Sequence, residues 1–178
     1  MLVVALNGLL GARKDEVDMT EVVEGVLDHL PYRSHVEVLR GRGGAGAFKF
    51  AKLYKRILRE SKDHDTLLLA GKSYGGHWCC RLLWKLASAE KLDRFANVGL
   101  VTVDPSYVLH KMQKKIKQIP EIGFARNVHQ YGPRSGYRLG PPAENIVVKG
   151  THANIDQKPA VTKAVYDLLH WGHVKSGA

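Results

Sequence analysis

Short apolar runs alternate with segments of helical periodicity along this chain, and that alternation restricts the fold more than any other feature. A strand–helix–strand alternation favours parallel strands in one sheet with helices packed against it. The sequence therefore predicts an α/β fold with a doubly wound, mostly parallel sheet and helices on both faces. The predicted strands are Leu2–Leu6, Val36–Arg40, Thr66–Ala70, Asn97–Val103, Phe124–Tyr131 and Asn145–Lys149.

The first predicted helix has the clearest start signal. Asp18 is a suitable N-cap, and Glu21 three residues later completes a capping box. Apolar residues then recur at helical spacing from Met19 to Leu30. The other predicted helices are one with Phe50, Leu53, Tyr54, Ile57 and Leu58 on one face, Tyr74–Ala87, Ser106–Ile119, and one that begins near Pro159.

Length and composition set broader limits. The 178 residues predict one domain over residues 1–178. The short apolar start, Met1–Leu6, is interpreted as a strand and not a signal peptide, so we expect a cytoplasmic protein. The net charge of +10 favours anionic partners or surfaces without identifying them, and no nucleic-acid signature is present.

Two stretches suggest nucleotide binding. Gly71-Lys72-Ser73 resembles the end of a phosphate-binding loop, but Thr66 stands where the first glycine of that loop is needed. Gly41–Gly46 fits the G-x-G-x-x-G dinucleotide pattern, with Asp63 and Asp65 about 20 residues further on. A dinucleotide-binding enzyme that uses this loop therefore stays open as an alternative.

The same stretch around Ser73 also matches G-x-S-x-G, the pattern of a nucleophile elbow. Such an elbow joins a strand to a helix without a spacer, as Ser73 would between Thr66–Ala70 and Tyr74–Ala87. Gly71, Gly75 and Gly76 would relieve crowding around the strained turn. The context favours a nucleophilic serine over a phosphate cradle.

A serine nucleophile needs a base and a carboxylate, which in this fold class follow it in the order acid, then histidine. Asp104 comes directly after the strand Asn97–Val103, and His152 follows the last predicted strand. Ser73, Asp104 and His152 are therefore the predicted catalytic residues. Asp156 is a rival carboxylate, but its position predicts a cap for the final helix.

The transition state also needs backbone donors for a developing oxyanion. The N–H group of Tyr74, just after the nucleophile, is one candidate. The N–H group of Leu9 is the other, with Gly8 allowing the chain to pass close to the substrate.

With these motifs the chain resembles the α/β-hydrolase superfamily, and within it small bacterial lipase- or esterase-like serine hydrolases. The resemblance rests on Asn7-Gly8, Gly71–Gly76, "VTVDPS" around Asp104 and "NIVVKGTHANID" around His152. It implies hydrolysis of a small-molecule or lipid ester, or a thioester, through an acyl-enzyme, with no metal and no organic cofactor. A non-catalytic binding protein of the same fold, with a basic surface, is the other alternative.

Two features qualify the resemblance. Lys72 precedes the nucleophile, where many relatives carry another residue, and is predicted to contact substrate and favour anionic ones. The chain is short enough to imply a minimal fold with little or no lid. Only Ser106–Arg126, with Lys111, Lys114, Lys115 and Lys117, is predicted as a cover for the site.

Overall fold

A parallel sheet forms the centre of the molecule. The computed structural model describes residues 1–8, 18–42, 47–105, 119–131 and 137–177. Within these ranges six strands pair in parallel in the order β2-β1-β3-β4-β5-β6. They are β1 Leu2–Asn7, β2 Glu37–Arg42, β3 Thr66–Lys72, β4 Asn97–Val103, β5 Phe124–Gln130 and β6 Glu144–Val148.

Four α-helices of the described ranges pack on this sheet. The capping box at Asp18 and Glu21 is present at the start of the first helix, as predicted. None of the helices in the described ranges is long and apolar enough to cross a membrane. The helices are α1 Met19–Leu27, α2 Ala47–Glu60, α3 Tyr74–Ser88 and α4 Pro159–Ser176.

The two faces of the sheet bury separate apolar clusters. Successive β1 side chains alternate between them, so that Val3 packs with α1 and α4, and Val4 packs with α2 and α3. Leu168 of α4 and Leu83 of α3 are fully buried on opposite faces. The predicted doubly wound fold, with helices on both faces, is confirmed.

The strand order fixes where a ligand would bind. The chain leaves β1 through α1 toward β2 on one face, and leaves β3 through α3 toward β4 on the other. Between β1 and β3 the order therefore reverses, and open α/β sheets bind ligands at such a point, beyond the carboxyl ends of the strands. Gly8 and Ser73 follow β1 and β3 there.

Two features of the described ranges argue against the dinucleotide alternative. Gly41 is paired inside β2 and does not lie in a turn, while residues 43–46 fall outside the described ranges. Asp63 and Asp65 precede β3 at the amino edge of the sheet. A strand of this length puts them about 20 Å from the carboxyl edge, where the loop after β2 begins. They cannot serve as the ribose-binding acid.

The predicted cover lies mostly outside the described ranges. Residues 106–118 include all four lysines predicted to meet an anionic surface. Ile119 is buried against the α2 and α3 face of the sheet. Arg126, the predicted end of the cover, lies within β5 and pairs with Glu144 and Asp167.

Candidate active site

Ser73 is the single residue between β3 and α3. The strand extends two residues beyond the predicted Ala70, to Lys72, and the helix begins at Tyr74. Ser73 has φ 55° and ψ −124°, a backbone conformation that non-glycine residues rarely adopt. Its N–H donates to the Val103 carbonyl oxygen at 2.8 Å, which holds the strained turn against β4.

Close backbone contacts explain the glycines of the elbow. A Cβ atom on Gly75 would lie 2.2 Å from the carbonyl oxygen of Leu6, because the start of α3 presses against the end of β1. A Cβ atom on Gly71 would lie 2.6 Å from the carbonyl carbon of Gly75. Both obstacles are main-chain atoms that cannot move aside. The G-x-S-x-G spacing is therefore a packing requirement of this corner.

The structure brings Ser73, Asp104 and His152 together. His152 Nε2 lies 2.9 Å from Ser73 Oγ, and His152 Nδ1 lies 2.5 Å from Asp104 Oδ2. Asp104 is fully buried, whereas the His152 side chain is 42% exposed and Ser73 is half-buried. The imidazole therefore bridges a buried carboxylate and a half-buried hydroxyl, and all three belong to residues that the sequence analysis singled out.

Asp104 has further hydrogen-bond donors that determine how it contacts His152. The Gln130 N–H donates to Asp104 Oδ1 at 3.4 Å, and Gln130 Nε2 donates to Asp104 Oδ2 at 3.1 Å. A carboxylate only accepts hydrogen bonds, and this favours the tautomer with the proton on His152 Nδ1 and with Nε2 as the acceptor from Ser73. Gln130 was not predicted. Its signal was a polar residue at the end of a strand paired with β4.

The predicted oxyanion donors are partly described. Tyr74 is the first residue of α3, where a helix leaves its N–H groups without partners inside the helix. Gly8 passes close to Ser73, since a Cβ atom there would lie 3.3 Å from Ser73 Cβ and 3.5 Å from Oγ. Leu9 lies outside the described residues.

Lys72 is bound to a carboxylate inside the protein. Its Nζ donates to Asp156 Oδ2 at 2.7 Å, and the two side chains are only 8% and 0% exposed. This pairing argues against the predicted contact between Lys72 and an anionic substrate. The prediction that Asp156 caps the final helix is wrong, because Lys158 is the N-cap of α4.

A cluster of rings lies beside the elbow. His77 stacks on Tyr74 with ring centroids 5.3 Å apart, and His77 Nδ1 lies 3.3 Å from the hydroxyl oxygen of Tyr137. Burial lowers the pKa of His77 to about 4, with a smaller contribution from the Arg81 charge. His77 is therefore neutral near pH 7. Within the described ranges no three His, Cys, Asp or Glu side chains could together hold a metal ion.

Comparison with known proteins agrees with this architecture. A crystal structure of a protein from Xanthomonas campestris pv. campestris, assigned as a hydrolase of the alpha/beta superfamily, matches with a TM-score of 0.53. The fold is that of an α/β hydrolase. The match covers 96% of this chain and 98% of that chain at 13% identity, so the α/β-hydrolase fold is shared over nearly the full length of both. No family model and no curated protein matches the chain.

Proposed function

We propose that this protein is a serine hydrolase that cleaves a carboxylic ester or thioester through an acyl-enzyme on Ser73. The observation that supports this best is the bridge made by His152 between the buried Asp104 and the accessible Ser73 hydroxyl. The structural neighbour assigned as an alpha/beta hydrolase also supports hydrolase chemistry.

Acylation begins with the Ser73 hydroxyl, a weak nucleophile on its own at neutral pH. His152 Nε2 takes its proton while Oγ attacks the carbonyl carbon, and Asp104 stabilises the imidazolium that forms. The tetrahedral intermediate then collapses as the bond to the leaving group breaks. The imidazolium returns the proton to the departing alkoxide or thiolate.

Deacylation repeats the sequence with water as the nucleophile. His152 takes a proton from water, hydroxide adds to the acyl carbon, and Ser73 Oγ leaves with the proton from the imidazolium. The products are a carboxylic acid, the alcohol or thiol, and the free enzyme. The 42% exposure of the His152 side chain leaves its ring accessible to the incoming water.

The oxyanion of both tetrahedral intermediates needs donors aimed at it before the reaction starts. The Tyr74 N–H serves as one, at the amino end of α3, where the helix dipole also favours negative charge. Gly8 passes close to Ser73, and the N–H of the next residue, Leu9, is the proposed second donor.

A fluorophosphonate probe tests the nucleophile directly. We expect one adduct per chain, located on Ser73 by peptide mass spectrometry, and release of p-nitrophenol from p-nitrophenyl acetate, butyrate or octanoate. Matched thioesters, followed with a thiol-reactive dye, determine which leaving group is preferred. Ser73→Ala removes the hydroxyl that His152 Nε2 contacts, so it abolishes both labelling and turnover.

Ser88→Ala is the matched control, because Ser88 is exposed at the far end of α3. It must keep both labelling and turnover. A folded wild-type protein that takes no label and cleaves none of these esters would favour the non-catalytic binding protein. Labelling that is equal in wild type and Ser73→Ala would place the reactive group elsewhere.

A further inference from the structure

The Lys72–Asp156 ion pair joins the two chain segments that carry the proposed nucleophile and base. Lys72 is the last residue of β3 and directly precedes Ser73. Asp156 lies in the short turn Ile155–Gln157, four residues after His152. The bond therefore connects residues 84 positions apart at the point where the base must meet the nucleophile.

The segment that carries His152 has a long return path. It leaves β6, at the far edge of the sheet, and has to reach Ser73 after β3, three strands away. Three strand spacings amount to about 14 Å. The hydrogen bonds between Thr151 and Asn154 lie within this segment and do not hold it against β3. The bond from Lys72 to Asp156 links the segment directly to the end of β3.

Burial of the Lys72–Asp156 ion pair limits how far the two segments can move apart. The charged atoms lie 2.7 Å apart, and the Asp156 side chain is fully buried. Separating two such charges without water leaves each of them uncompensated, which is strongly unfavourable. An apolar pair would fill the same space at similar stability but would tolerate sliding. The ion pair therefore fixes the distance between the segments more narrowly than packing alone would.

The pair also places two opposite charges on the segments that carry Ser73 and His152 without adding net charge. Loss of the Asp156 charge would leave a buried cation near His152, which disfavours protonation of the ring. Loss of the Lys72 charge would leave a buried anion, which favours it. Titratable side chains of α1, of the turn after it and of α4 line the same surface groove of about 830 Å³ as Asp156, namely Glu21, His29, Lys163 and Tyr166.

We infer that Lys72 and Asp156 form a positioning pair, which holds the His152 segment at Ser73 and balances the charge around the imidazole. This inference rests on the proposed function for its catalytic meaning. Neither residue is assigned a contact with substrate. Each acts through His152, while Asp104 orients the ring directly.

The test compares Lys72→Met, Asp156→Asn and the double variant with wild type. We expect each single variant to lose roughly 10- to 100-fold in kcat against a p-nitrophenyl ester, with KM changed less than about threefold. The acidic limb of the kcat/KM profile moves to higher pH in Lys72→Met and to lower pH in Asp156→Asn. The double variant returns the limb toward its wild-type position.

Two control variants make the same charge changes at the opposite edge of the sheet. These variants are Lys62→Met and Asp93→Asn. Lys62 and Asp93 are exposed, and they precede β3 and β4 respectively. Both should leave kcat and the pH profile unchanged. Circular dichroism of every variant measures the folded fraction, by which kcat is corrected.

An NMR titration of the His152 ring, assigned with His152→Gln, separates this inference from the proposed function. Opposite displacements of its midpoint in Lys72→Met and Asp156→Asn support the positioning pair even if no ester is cleaved. Displacements in the same direction, or none, overturn it even if wild type is an active esterase. A fall in kcat that disappears after correction for the folded fraction also overturns it.

Discussion

The buried Asp104 offers the sharpest test of how the site works, through the isosteric change Asp104→Asn. In the native protein Oδ1 accepts the Gln130 main-chain N–H, while Oδ2 faces His152 Nδ1 and Gln130 Nε2. The main-chain donor is fixed by β5, so the amide oxygen of asparagine keeps the Oδ1 place. The new NH2 group then faces the imidazole.

An NH2 group facing Nδ1 favours the other tautomer of the imidazole. His152 can only accept there, so its proton moves to Nε2 and points at Ser73, whose own proton then has no acceptor. Loss of the correct tautomer in a triad of this kind costs roughly 10⁴-fold in kcat. That factor corresponds to about 5 kcal/mol in the activation barrier. KM should change little, because Asp104 is fully buried and does not contact substrate.

The assay is the pre-steady-state release of p-nitrophenol, which isolates acylation, together with the rate of fluorophosphonate labelling. Asp93→Asn makes the same chemical change at an exposed position and should behave as wild type. If Asp104→Asn acylates within tenfold of wild type, with an unchanged unfolding midpoint, Asp104 does not orient the base and the mechanism above is refuted.

Three further predictions concern stability. Glycine adopts the φ of 55° at position 73 without strain. The free energy of unfolding of Ser73→Gly, measured by urea denaturation, should therefore be about 1 kcal/mol higher than that of Ser73→Ala. An equal or lower value would show that the turn stores no strain. Gly75→Ala places a Cβ atom against the Leu6 carbonyl oxygen and should lower the free energy of unfolding by roughly 3 kcal/mol or prevent folding. Gly25→Ala in α1 has open space around it, so thermal unfolding should show it to be neutral or stabilising. Burial lowers the pKa of His77 to about 4, so between pH 6.5 and pH 4 the unfolded chain binds a proton that the folded protein does not. The free energy of unfolding should therefore fall by up to about 3 kcal/mol over this range. His77→Gln should flatten this decline, and an identical decline in the variant would exclude His77 as its cause.

Local patterns were sufficient to predict the fold. The alternation of apolar runs and helical periodicity is encoded within short windows, as is the capping box at Asp18. Strand bounds differed by one or two residues, most clearly at β3, because pairing with β4 carries the strand on to Lys72. The three candidate residues could be located from the sequence because Ser73 and Asp104 directly follow strands and His152 lies in the loop after the last strand.

Partners across the sheet were not accessible from the sequence. Gln130 contacts Asp104 only because β5 lies beside β4, and Lys72 contacts Asp156 only because the chain returns from β6 to β3. No local pattern contains either adjacency. Lys72 was therefore predicted to contact substrate because it lies next to Ser73 in the sequence. In the structure its charge is balanced by Asp156 inside the protein.

The Ser73–His152 contact spans 79 positions of the sequence. Contacts between distant residues form late in folding, because the loop that joins them must close before they stabilise the chain. Helices and neighbouring strands can form while this contact is still open. The proposed catalytic unit therefore requires the completed sheet. Turnover would report that this long-range contact has closed, whereas helix content would not.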